Sequence, residues 1–384
     1  MKKLAYIDAL RGIAIIGVIL AHIYYGMPGL YMVVEQMARE GARGVQLFYV
    51  ASAFTIFLSY RSRSQHELNP VRNFYIRRFF RIAPMYWLGI VYYLWQNGTG
   101  SHYWLADQAS ITPLNILSNF TFLHGLNPYW INSLVPGGWS IAVEMMFYML
   151  CPLLFLRVRN INQAFTLLNL TLVLNMVLSF LLSDHSPISS QWLWQKYLML
   201  YLPSQMPVFS LGILMYFILT EPGSLKRIYG INLILLSAMW LLQSSLPGIV
   251  FFPPHFLFGI GFLLLGLCLS RLPLPLLVNP VLTYIGRISF SIYLSHFAVI
   301  HWMEHFRIYD VTGVPMLNFI YRFGMVLGLA VIISTITYRL IEVPMMQIGK
   351  RFIRDTDGSR DRRQTEQELV FPSHQGQSAY PQTS

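Results

Sequence analysis

The chain has 384 residues, 55% of them hydrophobic and 11% charged, where an ordinary soluble protein is about 25% charged. No soluble core buries that share of apolar surface, so the composition excludes an ordinary globular protein and reads as one membrane domain built from successive apolar runs. The net charge of +11 would raise nucleic acid as a partner, but the basic residues fall in alternate loops between apolar runs, which reads as no nucleic-acid partner and membrane lipid instead.

Hydropathy predicts an all-α polytopic fold with ten transmembrane helices. They run from Ala9 to Tyr25, Gly44 to Ser59, Ile82 to Gln96, Trp139 to Leu156, Gln163 to Ser183, Tyr197 to Leu219, Tyr229 to Leu246, Val250 to Ser270, Ile288 to Met303 and Met316 to Ile341. Met1, Lys2 and Lys3 before the first run imitate a signal peptide, but Arg11 interrupts the run and no small-residue cleavage site follows, so a retained first helix is expected. Both cysteines, Cys151 and Cys268, lie within apolar runs, giving neither a disulfide framework nor a zinc spacing.

The positive-inside rule predicts both termini in the cytoplasm. One set of alternate segments holds Lys2 and Lys3, Arg61 through Arg81, Arg157 and Arg159, Lys226 and Arg227, Arg271 and Arg287, and Lys350 through Arg363. The opposite loops hold only Arg39, Arg43, Lys196 and Arg307. One of those loops, Asn97 to Gly138, is long and lacks Lys and Arg; it is expected to cover an outward cavity or lie in the interface. The expected division is a transmembrane domain over residues 1–345 and a disordered cytoplasmic tail over 346–384, where the composition turns polar after Arg354.

Ionisable residues inside a membrane are costly and so are candidate functional groups. The first span carries Asp8, Arg11 and His22. On a helix, Arg11 and His22 differ by only about 20° in azimuth and stand roughly 16 Å apart, so one face joins a membrane surface to the interior. The plainer alternative has Arg11 snorkelling and His22 making an interhelical hydrogen bond.

The segment from Arg72 to Pro84 places Arg77, Arg78 and Arg81 on one helical face, suited to a phosphorylated ligand or to lipid headgroups. After Gly137, Gly138 and Trp139, the residues Ser140, Glu144 and Tyr148 recur every four positions as a polar stripe, readable as a site carboxylate or as a buried pair with arginine. Ser289, Tyr293 and His296 form another stripe, which helix-packing hydrogen bonds would explain equally well. His301, Glu304 and His305 match the spacing of an inverted zinc peptidase motif, but the match runs off the end of a span and has no third ligand, so no metal is expected.

Taken together these segments resemble the acyltransferase 3 family. The matching pieces are Arg11 and His22, the run from Gly44 through Ser52 to Phe54, the run from Arg77 and Arg78 to Pro84 and Tyr86, Trp139 and Ser140 with Glu144, and Ser289 to His296, all in family order. Ala53 departs from the usual Ser-Gly-Phe turn and leaves close backbone approach near Ser52 open. The resemblance implies a bacterial plasma-membrane O-acyltransferase, with cytoplasmic acyl-CoA (acetyl-CoA) as co-substrate, no bound cofactor, and a surface or lipid-linked carbohydrate as acceptor. It implies a site made of His22, Arg11 and Glu144, with Arg77, Arg78, Arg81 and Ser52 at the donor and Asp8, Trp139, Ser140, Tyr148, Ser289, Tyr293 and His296 as polar neighbours. A transporter or flippase of lipid-linked sugars is the competing expectation, since a helical bundle with buried charge serves it as well.

Overall fold

The computed structural model describes residues 4–24, 27, 29–100, 110–221, 223, 226, 228–246 and 248–370, with side chains up to 357. Among them every regular element is helical, as expected. The α-helices are α1 (Ala5–Tyr24), α2 (Met32–Glu40), α3 (Gly44–Arg63), α4 (Pro70–Asn97), α5 (Pro113–Phe120), α6 (Gly138–Arg157), α7 (Ile161–Leu182) and α8 (Gln191–Leu200). They continue with α9 (Leu202–Thr220), α10 (Gly230–Ser245), α11 (Pro254–Arg271), α12 (Pro280–Arg287), α13 (Ser289–His305), α14 (Pro315–Thr337) and α15 (Val343–Val370).

Each predicted span coincides with one long helix: α1, α3, α4, α6, α7, α9, α10, α11, α13 and α14. Among the described residues, 7 helical stretches are long and apolar enough to cross a membrane by length and composition. They do not include α4, whose first half is basic, or α10 and α13, which have 16 and 17 residues. The sixth expected span starts later than read, because Tyr201 takes an extended conformation and Pro203 opens a new helix, α9. The short helices α2, α5, α8 and α12 flank or connect the long ones.

The outside of the bundle is apolar and polar groups point inward. On α10, Ile231, Ile234, Trp240 and Leu241 are exposed whereas Asn232 is buried. Asn232 accepts from Thr166 at 3.2 Å, and Asn169 donates to the Asn232 carbonyl at 3.1 Å. This inside-out pattern suits hydrocarbon, where an amide must find its partner on another helix.

At the centre stands α1, which packs against α3, α12, α13 and α14. Ile7, Leu10, Ile15, Val18, Ile19 and Ile23 are completely or almost completely buried. Contact between α1 and α12 is backbone to backbone, and a methyl group added at Gly286 would overlap the Asp8 carbonyl oxygen. Glycine there lets the two helices touch.

The chain stays helical beyond the expected domain boundary. A π-helical turn, Tyr338–Glu342, joins α14 to α15. Asp357 accepts from Arg72 and Asn73, both at 2.7 Å, which fastens α15 to the start of α4. Residues 371–384 of the expected disordered tail lie outside the described residues.

Gly286→Ala should force α1 and α12 apart, at a cost of about 1–3 kcal/mol typical of overpacking. A lower melting temperature in detergent is expected, whereas Gly261→Ala, with open space around it, should melt like the parent. Equal melting of all three proteins would contradict the close helix approach.

Candidate functional site

At the end of the bundle where α1 begins, five helices enclose a cavity of about 70 Å³. Arg11 of α1, Ser52 of α3, Arg78 and Arg81 of α4, Ser140, Glu144 and Tyr148 of α6, and Ser289 and Tyr293 of α13 line it. Four-residue spacing on α6 does put Ser140, Glu144 and Tyr148 on one face, and that face is turned into the cavity. Small-molecule sites usually measure about 300–1,000 Å³, so this one admits a thin chain but not a nucleotide.

Glu144 accepts from Tyr148 at 2.6 Å and from the Ser52 hydroxyl. Arg11 donates to Thr55 at 3.0 Å and lies 3.6 Å from Asp8, which is also 3.6 Å from Arg287. Ser140 donates to the Tyr293 hydroxyl at 2.8 Å, and that hydroxyl donates to the Gly137 carbonyl at 3.0 Å. Gly137 has a left-handed φ of 75°, and a side chain there would press on the Tyr293 hydroxyl at 2.7 Å. Glycine at the head of α6 therefore serves both the turn and the contact.

Three arginines face one carboxylate, so the cavity is electropositive. Arg78 lies over the rings of Phe74 and Tyr148, at 5.6 and 5.4 Å, and its buried Nε has no hydrogen-bond partner. Among the described residues no carboxylate comes within ion-pair distance of Arg78 or Arg81. Arg77 behaves differently. It makes a two-pronged pair with Glu67 at 2.7 and 3.0 Å and does not line the cavity. Trp139 also stays outside, edge-on to Tyr49 at 6.4 Å.

Toward the other end of α1, half-buried His22 meets fully buried His296, with His22 Nδ1 3.1 Å from His296 Nε2. His296 Nδ1 is 3.1 Å from the Ile292 carbonyl. A carbonyl only accepts, so His296 Nδ1 carries the proton and its Nε2 accepts from His22 Nδ1. That chain leaves the lone pair of His22 on Nε2, as a general base requires. Phe297 packs on the His22 ring at a centroid distance of 4.4 Å.

The expected stripe on α13 thus divides: Ser289 and Tyr293 belong to the cavity, while His296 belongs to the histidine pair. The two parts are adjacent, with the Tyr293 and His296 rings 5.9 Å apart. Glu144 is not the residue that orients His22, because α6 packs on α3, α4 and α9 rather than beside the His22 end of α1. Thr55 and Arg322 were missed by sequence reasoning. Thr55 lies three residues after Ser52 on the same face, a spacing that could have found it. Arg322 donates to the Ile23 carbonyl at 3.2 Å and pairs with Asp310 at 3.0 and 2.5 Å, capping α1 just beyond His22. Among the described residues, no group of three His, Cys, Asp or Glu side chains could hold a metal ion.

The model of the acyltransferase 3 family, described as an acyltransferase domain, matches residues 4–339. The chain belongs to this family. It is also similar to proteins named "Putative O-acetyltransferase" in Staphylococcus aureus strains COL and MW2. Each is 24% identical over 382 residues, covering 91% of this chain and 58% of the relative. The chain therefore spans little more than half the length of the curated relatives it matches. No solved structure matches it significantly. The family's match runs from the start of α1 into the π-helical turn and so contains both the cavity and the histidine pair.

The arginines should separate in kinetics. Arg78→Gln and Arg81→Gln should each raise KM for the acyl donor about tenfold or more, the worth of a charged hydrogen bond. Arg77→Gln should leave KM unchanged and lower the melting temperature. A shift in donor KM for Arg77→Gln as large as for the other two would contradict this division.

Proposed function

We propose that this protein is a transmembrane O-acyltransferase of a bacterial inner membrane, moving an acyl group, acetyl in the simplest case, from cytoplasmic acyl-CoA to a carbohydrate hydroxyl on the far side. In this reading ten helices span the bilayer and both termini are cytoplasmic, the orientation that the basic loops favour. One observation carries it: α1 bears a cavity arginine near one end and, near the other, a histidine whose proton and lone pair are assigned by its neighbours.

Phosphates of the donor stay at the basic mouth, held by Arg78 and Arg81, because charge does not enter hydrocarbon without partners. The narrow arm carrying the thioester threads the cavity past Arg11 toward His22. The acceptor hydroxyl approaches from the opposite side and gives its proton to His22 Nε2 as its oxygen bonds to the thioester carbonyl carbon. The carbon–sulfur bond then breaks, and His22 returns the proton to the leaving thiolate. His296 keeps Nδ1–H of His22 engaged throughout, so the imidazolium that forms has a fixed orientation. Glu144 acts at the other end, where it holds Ser52 and Tyr148 in place and offsets part of the arginine charge.

The family match and the relatives' names favour group transfer over a transporter or flippase of lipid-linked sugars. A transporter would not consume acyl-CoA. With purified protein and labelled acetyl-CoA, coenzyme A release is expected for the parent and a loss of about 10³-fold for His22→Ala, within the usual range for a general base. His296→Leu should lower turnover about 10–100-fold with donor KM unchanged, as the loss of a hydrogen bond that orients an imidazole does, and His296→Gln, which restores an acceptor, should recover part of it. Well-folded His22→Ala with near-parental turnover would overturn the assignment.

A further inference from the structure

A second cavity, of about 250 Å³, lies at the end of the bundle shared with His22, where α7 finishes and α3, α9 and α11 begin. Asn175 and Ser179 of α7 and Ser183 just past its end line it, and their four-residue spacing makes a polar stripe. Asn175 is only 3% exposed, and its buried Oδ1 has no hydrogen-bond partner. A buried amide oxygen left unpaired is rare and calls for a ligand or an ordered water.

The remaining lining narrows the chemistry. His255 Nε2 donates to the Ser204 carbonyl at 2.9 Å, which leaves its Nδ1 an acceptor. The one cation, Arg43, is already 3.2 Å from Glu40. A phosphodiester or an ionised carboxylate brings only acceptors and would leave Asn175 Oδ1 unpaired. A site with amide, hydroxyl and imidazole groups of both kinds suits a ligand whose hydroxyls donate and accept, and Leu198, Met199 and Pro253 supply an apolar wall for the C–H face of a sugar ring.

We infer that this cavity binds a sugar residue of the acceptor glycan other than the one whose hydroxyl reacts at His22. The inference rests on the acyl-transfer reading for the words "acceptor glycan", while sugar binding itself can be tested without it.

The test uses the full chain in lipid nanodiscs and saturation-transfer NMR with methyl glycosides of glucose, galactose, N-acetylglucosamine and glucuronic acid. At least one glycoside should receive saturation, and Asn175→Leu should lower that transfer about fivefold, the effect of losing one buried hydrogen bond. Ser179→Val, at a half-buried position, is the second variant and should lower transfer while melting like the parent. No saturation of any glycoside, or parental saturation in both folded variants, would mean a water-filled cavity and would overturn the inference. Acetyl-CoA turnover on the same samples separates the two readings: turnover without glycoside binding sinks only the sugar site, whereas glycoside binding without turnover sinks only acyl transfer.

Discussion

Charge inside hydrocarbon is tolerated only where it is paired or where it lines a polar space, and the arrangement of this bundle follows from that constraint. Arg11 enters the interior on α1 and is met by Thr55 and Asp8. Arg77 is neutralised by Glu67, and Arg322 by Asp310. Arg78 and Arg81 are left over, with no carboxylate among the described residues in ion-pair range, beside a cavity whose one lining acid, Glu144, is occupied by Ser52 and Tyr148. Unsatisfied positive charge at the wall of a narrow space is a standing demand for an anionic ligand, and it marks the donor end of the proposed reaction.

The same helix carries the other half of the chemistry. Because α1 touches α12 backbone to backbone and is capped by Arg322 beyond His22, its two functional ends are held at a fixed separation. Tyr293 bridges them: its hydroxyl belongs to the cavity network and its ring neighbours His296. Polar groups of the first cavity and the histidine pair therefore share α13 as a common wall.

Much of this was legible in the sequence. Long apolar runs marked where the long helices lie, and regular spacing on α6 gave the stripe of Ser140, Glu144 and Tyr148, because local periodicity is enough to define a face. What failed was long-range. Nothing local says that Arg77 will meet Glu67 across a turn while Arg78 faces inward, so the three arginines looked equivalent. Glu144 was expected in one site with His22 and Arg11, but which helices pack together is a tertiary matter, and α3 takes the place beside α6. Likewise Ser289, Tyr293 and His296 share a face by angle, yet they differ in height along α13 and serve two sites. Short helices such as α8 and α12 carry too few turns to announce themselves by periodicity.

The central claim is that donor and acceptor meet within α1's reach from opposite sides of the membrane. Proteoliposomes with the protein in one orientation test it directly: labelled acetyl-CoA is supplied only on the face bearing Lys350 and Arg351, with a polysaccharide acceptor on the other. The account predicts labelled ester on the far-side polysaccharide and none when donor is supplied to the opposite face. Ester formed only on the donor's own side, or equal turnover from either face, would contradict it.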